Sequence, residues 1–181
     1  AEGGAGKTPT PGAPAQGRLH ATGSFYNDIP VSVNTARDFD DFIQVVPRGL
    51  AQGGWTALRA NGEVLTEISN GIKEFDEPIT KLGFSNRLEI IPVIDARGRI
   101  RVLNVGRGLV GGVPDTNSAI DVAYTAGGGG SYLALLRDGT VKYWGSAYTH
   151  PDAIPPPPEA LTGVSSIELK HVRAYAVKED G

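Results

Sequence analysis

The side chains able to do chemistry are few in this sequence and stand far apart. There are three histidines, His20, His150 and His171, and no cysteine. No pair of histidines has the H-E-x-x-H spacing of a metal site. Without thiols, Ser and Thr are the usual side-chain nucleophiles left, and no G-x-S-x-G elbow surrounds any of them. Gly6-Lys7-Thr8 has the ending of a phosphate loop, G-x-x-x-x-G-K-[ST]. Ala1 stands where the first glycine belongs and no strand precedes it, so a linker is the expected use. Arg37–Phe42 (R-D-F-D-D-F) has the acids of a cation loop but lacks the glycine and distal glutamate of an EF-hand. A solvated turn or the start of a short helix is expected there. Gly127–Gly130 can cradle a phosphate through backbone N–H groups, but no helix follows, and a turn between strands is the simpler use. No residue is assigned a catalytic, cofactor-binding or metal-binding role, and a non-enzyme is expected.

The elements that must position any site are short strands. The chain has 181 residues, with 25 Gly and 13 Pro, a pairing that implies many tight turns. Net charge is −3 with both signs scattered, which leaves no electrostatic footprint for nucleic acid. No run of about 18 apolar residues is present to span a bilayer. The absence of methionine suggests a processed or excised chain, and the Ala1-Glu2-Gly3 start suits the terminus left by signal-peptide cleavage. An extracytoplasmic or secreted location is the expectation. Residues 1–15 are small and rich in Pro and Gly, and so are expected to be a disordered tail.

The best-written stretch is Ala119–Gly145. Ala119–Tyr124 and Tyr132–Leu136 are apolar runs of strand length. Asp138-Gly139 is a hairpin signal, and Thr140–Trp144 is rich in β-formers. The same grammar recurs. Asn61-Gly62-Glu63-Val64 and Arg97-Gly98-Arg99-Ile100 match Asp138-Gly139-Thr140-Val141, and Asp180-Gly181 falls at the same point of a fourth unit. These glycines stand 36, 41 and 42 residues apart. Before each lies an apolar run: Trp55–Leu58, Ile91–Ile94, Tyr132–Leu135 and Ala174–Val177. Further upstream come Phe42–Val46, Leu88–Ile90, Ile120–Tyr124 and Ile167–Leu169. A β-rich unit of about 40 residues, repeated about four times over residues 16–181, predicts an all-β fold of β-propeller blades. Residues 16–22 (Q-G-R-L-H-A-T) resemble the strand after each repeat glycine, and can close the ring or pair with another chain. The chain as a fragment of a longer propeller is the competing reading.

Leu133-Ala134-Leu135, Asp138-Gly139-Thr140-Val141 and Trp144-Gly145, with the Pro-rich lead-in at Pro156, resemble the repeat of the regulator of chromosome condensation family. Trp55–Val64 is a fair match; Leu88–Val102 and Val164–Gly181 follow mainly by spacing. The histidine usual before the Leu-Ala-Leu strand is replaced by Gly54, Ile90, Ser131 and Arg173, and Val105-Gly106 reads as a relic of the Trp-Gly step. Such drift suits a divergent bacterial-type propeller and weakens transfer of the founder's nucleotide-exchange activity. The resemblance implies a platform for another protein, as in a secreted branch that inhibits β-lactamases through aromatic-rich loops. Partner-binding residues are expected at Arg107, Tyr148, His150 and Trp55, while Gly62, Gly98, Gly139, Asp138 and Trp144 serve the repeat itself. The alternatives are an assembly subunit whose terminal strands pair between chains, and a carbohydrate-binding or hydrolytic propeller using its central channel.

Overall fold

The computed structural model describes residues 39–47, 54–66, 71–73, 75–87, 89–105, 107–126, 130–145, 161–170 and 173–179. Among them there are fourteen strands and no helix. Residues 1–15 and 16–22, Tyr148, His150 and Gly181 lie outside the described residues.

The strands form small, mostly antiparallel sheets in chain order. The first sheet is β1 (Phe42–Pro47), β2 (Trp55–Arg59), β3 (Val64–Thr66) and β4 (Gly71–Lys73), each paired to the next. In the second, β5 (Ile79–Leu82) pairs with β7 (Ile90–Asp95), then come β8 (Ile100–Asn104) and β9 (Gly108–Leu109). In the third, β10 (Ala119–Thr125), β11 (Ser131–Leu136) and β12 (Val141–Gly145) form a meander, and β6 (Phe84–Ser85) joins β10 in parallel. β13 (Val164–Lys170) and β14 (Arg173–Lys178) make a two-stranded fourth sheet.

One arrangement of backbone recurs at each junction. The hairpins β2–β3, β7–β8 and β11–β12 turn at Gly62, Gly98 and Gly139, with φ of 88°, 72° and 79°, the left-handed region in which glycine carries no steric cost. An acid or amide sets each turn. Asn61 Oδ1 accepts from the Glu63 N–H at 3.0 Å, and Asp138 Oδ1 from the Thr140 N–H at 2.9 Å. In the middle repeat Arg97 replaces the turn-maker, and the buried Asp95 takes over. Its Oδ1 accepts from the Arg97 and Arg99 N–H groups at 2.9 and 3.0 Å, and its Oδ2 pairs with Arg99 Nε at 2.8 Å. The turn glycine then receives the next sheet. The N–H groups of Ile79, Ala119 and Val164 donate to the carbonyls of Gly62, Gly98 and Gly139 at 3.0, 3.0 and 3.2 Å. A Cβ at Gly62 would lie 2.6 Å from Pro78 Cβ, and one at Gly98 2.5 Å from the Asn117 carbonyl oxygen. Side chains are excluded there by both conformation and space.

Within a sheet, side chains of alternate parity face opposite neighbours. Ile91 and Val93 of β7 meet Leu58 and Val64 of the first sheet, while Ile90 and Ile94 meet Val122, Tyr124 and Ala134 of the third. Ala123 and Leu133 then turn to Leu169 of the fourth. The central strands β7 and β11 are thus packed on both faces, which is why I-I-P-V-I and Y-L-A-L-L read as unbroken apolar runs. On the side of the first sheet away from the second, Phe42, Trp55, Ala57 and Leu65 are buried with no described sheet against them. Amide side chains act in the manner of backbone pairs, Gln44 between the first and second sheets and Asn86 in continuation of the β6–β10 pairing. Gln44 donates through Nε2 to the Leu82 carbonyl (3.0 Å) and accepts the Leu82 N–H at Oε1 (2.8 Å). Asn86 donates to Thr125 Oγ1 (3.0 Å) and accepts the Ala126 N–H (2.8 Å).

Two sequence expectations change. The first strand of the second sheet is Ile79–Leu82, not Leu88–Ile90; Ile90 instead opens the second strand. The expected Trp-Gly relic at Val105-Gly106 is out of register: Leu103 stands opposite Ile91 as Trp144 stands opposite Tyr132. The crossing of β6 has a local cause. The β5–β7 ladder runs to Leu82 opposite Val93, and the Gly83 N–H donates to the Pro92 carbonyl at 2.8 Å. Pro92 has no N–H to return, so pairing stops and the chain passes to β10. Gly83 suits the passage because a Cβ there would lie 2.3 Å from the Val122 carbonyl oxygen.

Gly98→Ala is therefore expected to lower unfolding free energy by about 2 kcal/mol or more, from the left-handed backbone and the clash together. Gly111→Ala, where a Cβ meets nothing within 4 Å, should change it by less than about 0.5 kcal/mol. Urea denaturation of both variants measures the difference, and equal stabilities would refute the role given to the junction.

Candidate functional site

The expected site residues separate on the structure. Trp55 is a core residue of β2, 5% exposed, and its Nε1 has no hydrogen-bond partner among the described residues. Trp144 is half-buried on β12 and stacks on Tyr132, with ring centroids 5.0 Å apart and an interplanar angle of 7°. Tyr132 in turn lies 4.6 Å from Tyr124. The three rings stand on adjacent strands at paired positions, because Tyr124 is opposite Tyr132 and Tyr132 opposite Trp144. They face the second sheet, on the side from which Ile90 and Ile94 pack. Gly62, Gly98, Gly139 and Asp138 occupy the hairpin turns described above. The Thr140 N–H holds the Asp138 carboxyl below its ordinary range.

Arg107 is exposed in the turn between β8 and β9, where its N–H donates to the Asn104 carbonyl at 3.0 Å. It lines a cavity of about 570 Å³ with Arg87, Glu89, Asn104, Tyr124 and apolar neighbours. This cavity lies between the second and third sheets, where β7 begins and β8 and β10 end. It is therefore at the opposite end of the strands from the glycine hairpins. Three separate chain segments build it. Arg87 and Glu89 precede β7, Asn104 to Arg107 close β8, and Tyr124 and Ala126 end β10. The position of the third segment is set by Asn86, whose clamp holds Thr125 and Ala126.

The charges of the cavity are partly matched. Arg87 Nη1 donates to Glu89 Oε1 at 2.9 Å, both side chains being well exposed. That hydrogen bond lowers the Glu89 pKa below its ordinary value. The Tyr124 hydroxyl is close enough to feel both charges. Burial raises its pKa, so it stays an O–H donor at neutral pH. Tyr132, the middle ring of the stack, is pushed up to about 12, by burial first and then by Tyr124. Arg107 forms no ion pair among the described residues, which leaves the cavity with one unmatched positive charge.

Arg107 was legible as a loop arginine beside a repeat strand. Arg87, Glu89, Asn104 and Tyr124 were not, because S-N-R-L-E-I reads as a strand approach and Tyr124 as strand interior; only the packing of two sheets brings them together. Among the described residues no group of three His, Asp or Glu is placed to hold a metal ion, and the three histidines lie outside them. No helix among the described residues is long and apolar enough to cross a membrane. No family model matches the chain, and no curated protein matches it.

The aromatic stack has a measurable consequence at alkaline pH. Tyr132 ionises near pH 10 when unfolded and near 12 when folded. Its stabilising contribution is thus complete below about pH 10 and is lost as pH rises towards 12. Thermal unfolding followed between pH 9 and 12 should show a falling melting temperature, with a shallower fall in Tyr132→Phe. Equal slopes for the two proteins would refute the assignment.

Proposed function

We propose that this protein is a non-enzymatic interaction module, built as a β-propeller of the regulator of chromosome condensation repeat type, that offers one loop end of its blades to another protein. The propeller reading is supported by the junction repeated at Gly62, Gly98 and Gly139. It is also supported by the side-by-side order of the sheets and by an apolar, buried far face on the first sheet where a ring would place a further blade. The single observation carrying the interaction reading is the cavity at the end of the strands away from the glycine hairpins. An exposed, unmatched Arg107 stands there beside an aromatic ring and apolar walls, a combination typical of recognition surfaces. Tyr148 and His150, in the connection between β12 and β13, are the further contact residues of this reading.

A second reading has its own support. β14 has one neighbour among the described residues, and Ala174 through Val177 are exposed on both faces, Tyr175 at 48% and Val177 at 58%. A strand with a single described neighbour and exposed apolar side chains invites another strand. Residues 16–22 are the matching segment, pairing within the chain to close a ring or between chains to build an assembly.

Two measurements decide between these readings. Immobilised protein should retain a specific partner from extracts of the source organism at micromolar concentration, and Arg107→Glu should release it. Failure of the wild type to retain any protein counts against the interaction module. Deleting Gly17–Thr22 separates the readings by light scattering: a wild-type oligomer that becomes monomeric supports strand exchange, and an unchanged monomer removes it.

A further inference from the structure

The cavity at the loop end carries more than a general affinity for proteins. The lining residues that carry donor groups are Arg107, Asn104, Tyr124 and Arg87; the acid is Glu89; Ile90, Val105 and Ala126 are the apolar lining residues. Arg87 is already engaged with Glu89 at 2.9 Å, so the two cancel. Arg107 has no acid beside it among the described residues, and the net local charge is that of one cation in a chain whose total is −3. A planar guanidinium with a forked set of donors fits a carboxylate with two parallel hydrogen bonds. A phosphate dianion matches less well, because one unpaired guanidinium balances only one of its two charges. The volume, about 570 Å³, is of the order of known ligand sites, about 300–1,000 Å³.

We propose that this cavity seats a single carboxylate of the partner protein, borne beside an apolar side chain, with Arg107 as its primary anchor and Asn104 and Tyr124 as orienting donors. The apolar neighbour packs on Ile90, Val105 and Ala126. This rests on the interaction-module reading and names the chemistry of the partner it implies. The carboxylate reaches Arg107 without breaking the Arg87–Glu89 pair.

The test uses the full chain, ¹⁵N-labelled, with N-acetyl-L-leucine as probe and N-acetyl-L-leucinamide and inorganic phosphate as controls. The acid should give saturable shifts at the amides of Asn104, Val105, Arg107 and Ala126, while the neutral amide and phosphate should not. Arg107→Gln, an exposed substitution expected to leave the spectrum dispersed, should weaken the acid by about tenfold or more. Lys142→Gln, an exposed cation on β12, should leave it unchanged. Equal responses to acid and amide, equal responses to acid and phosphate, or an unchanged affinity in Arg107→Gln would each overturn the proposal. The partner-retention experiment keeps the two claims apart. A partner retained while the probe gives no response overturns the cavity proposal and leaves the interaction reading standing. A response to the probe with no protein retained overturns the protein source in favour of a free small carboxylate. Failure of both removes both.

Discussion

The structure depends on a turn glycine that serves two sheets at once, its own through the N–H and the next through the carbonyl. At Gly62, Gly98 and Gly139 the chain reverses with φ between 72° and 88°, and the carbonyl accepts the N–H of the residue that opens the next sheet. The receiving residues, Ile79, Ala119 and Val164, are all buried. One residue therefore closes a hairpin through its N–H, which donates to the carbonyl of Arg59, Asp95 or Leu136, and through its carbonyl satisfies a buried donor and fixes the position of the following sheet. An N–H left without a partner there would cost about 1–3 kcal/mol. Three such junctions in series make the sheets successive copies of one placement, and the chain preserves it even where the turn residues differ. Asp95, two residues before Arg97, takes over the work of Asn61 and Asp138 and gains Arg99 as a counter-charge in doing so.

Burial on both faces follows from that placement. Because each sheet is held against the next, strands such as β7 and β11 have no solvent side, and both parities must be apolar. The aromatic ladder Tyr124–Tyr132–Trp144 belongs to this packing: it fills the gap between the second and third sheets, as Ile91 and Leu103 fill the gap one sheet earlier. The glycine junctions hold one end of the sheets; Asn86 ties the other, next to the cavity, by replacing a backbone pair with a side-chain amide.

The hairpin turns, the central strands and the period of the repeat were legible in the sequence, because Asx-Gly chemistry and unbroken apolar runs are local signals. The first strand of the second sheet was not. I-T-K-L at Ile79–Leu82 has a Thr and a Lys inside it, and it becomes a strand through its ladder to β7, with Lys81 reaching across to the Ile120 carbonyl (3.0 Å) and Asp121 (3.1 Å) of the third sheet. The short outer strands Gly71–Lys73 and Gly108–Leu109 carry too few residues to show a period. The Trp-Gly step was displaced by two residues, since Val105-Gly106 looks like the motif while the register places Leu103 there. Of the cavity, only Arg107 was anticipated.

What the sequence by itself determined is the repeating unit: where the chain turns, which runs become central strands, and that the fold is all-β. These follow from φ preferences and apolar content, which act within a few residues. Tertiary structure alone decided which strand leaves one sheet for another at Gly83 and Pro92, which parity faces which neighbour, and which charged side chains meet at the loop end. Arg87, Asn104 and Tyr124 are separated by up to 37 residues and carry no shared local pattern. They become neighbours only because a glycine carbonyl sets the position of one sheet against the next.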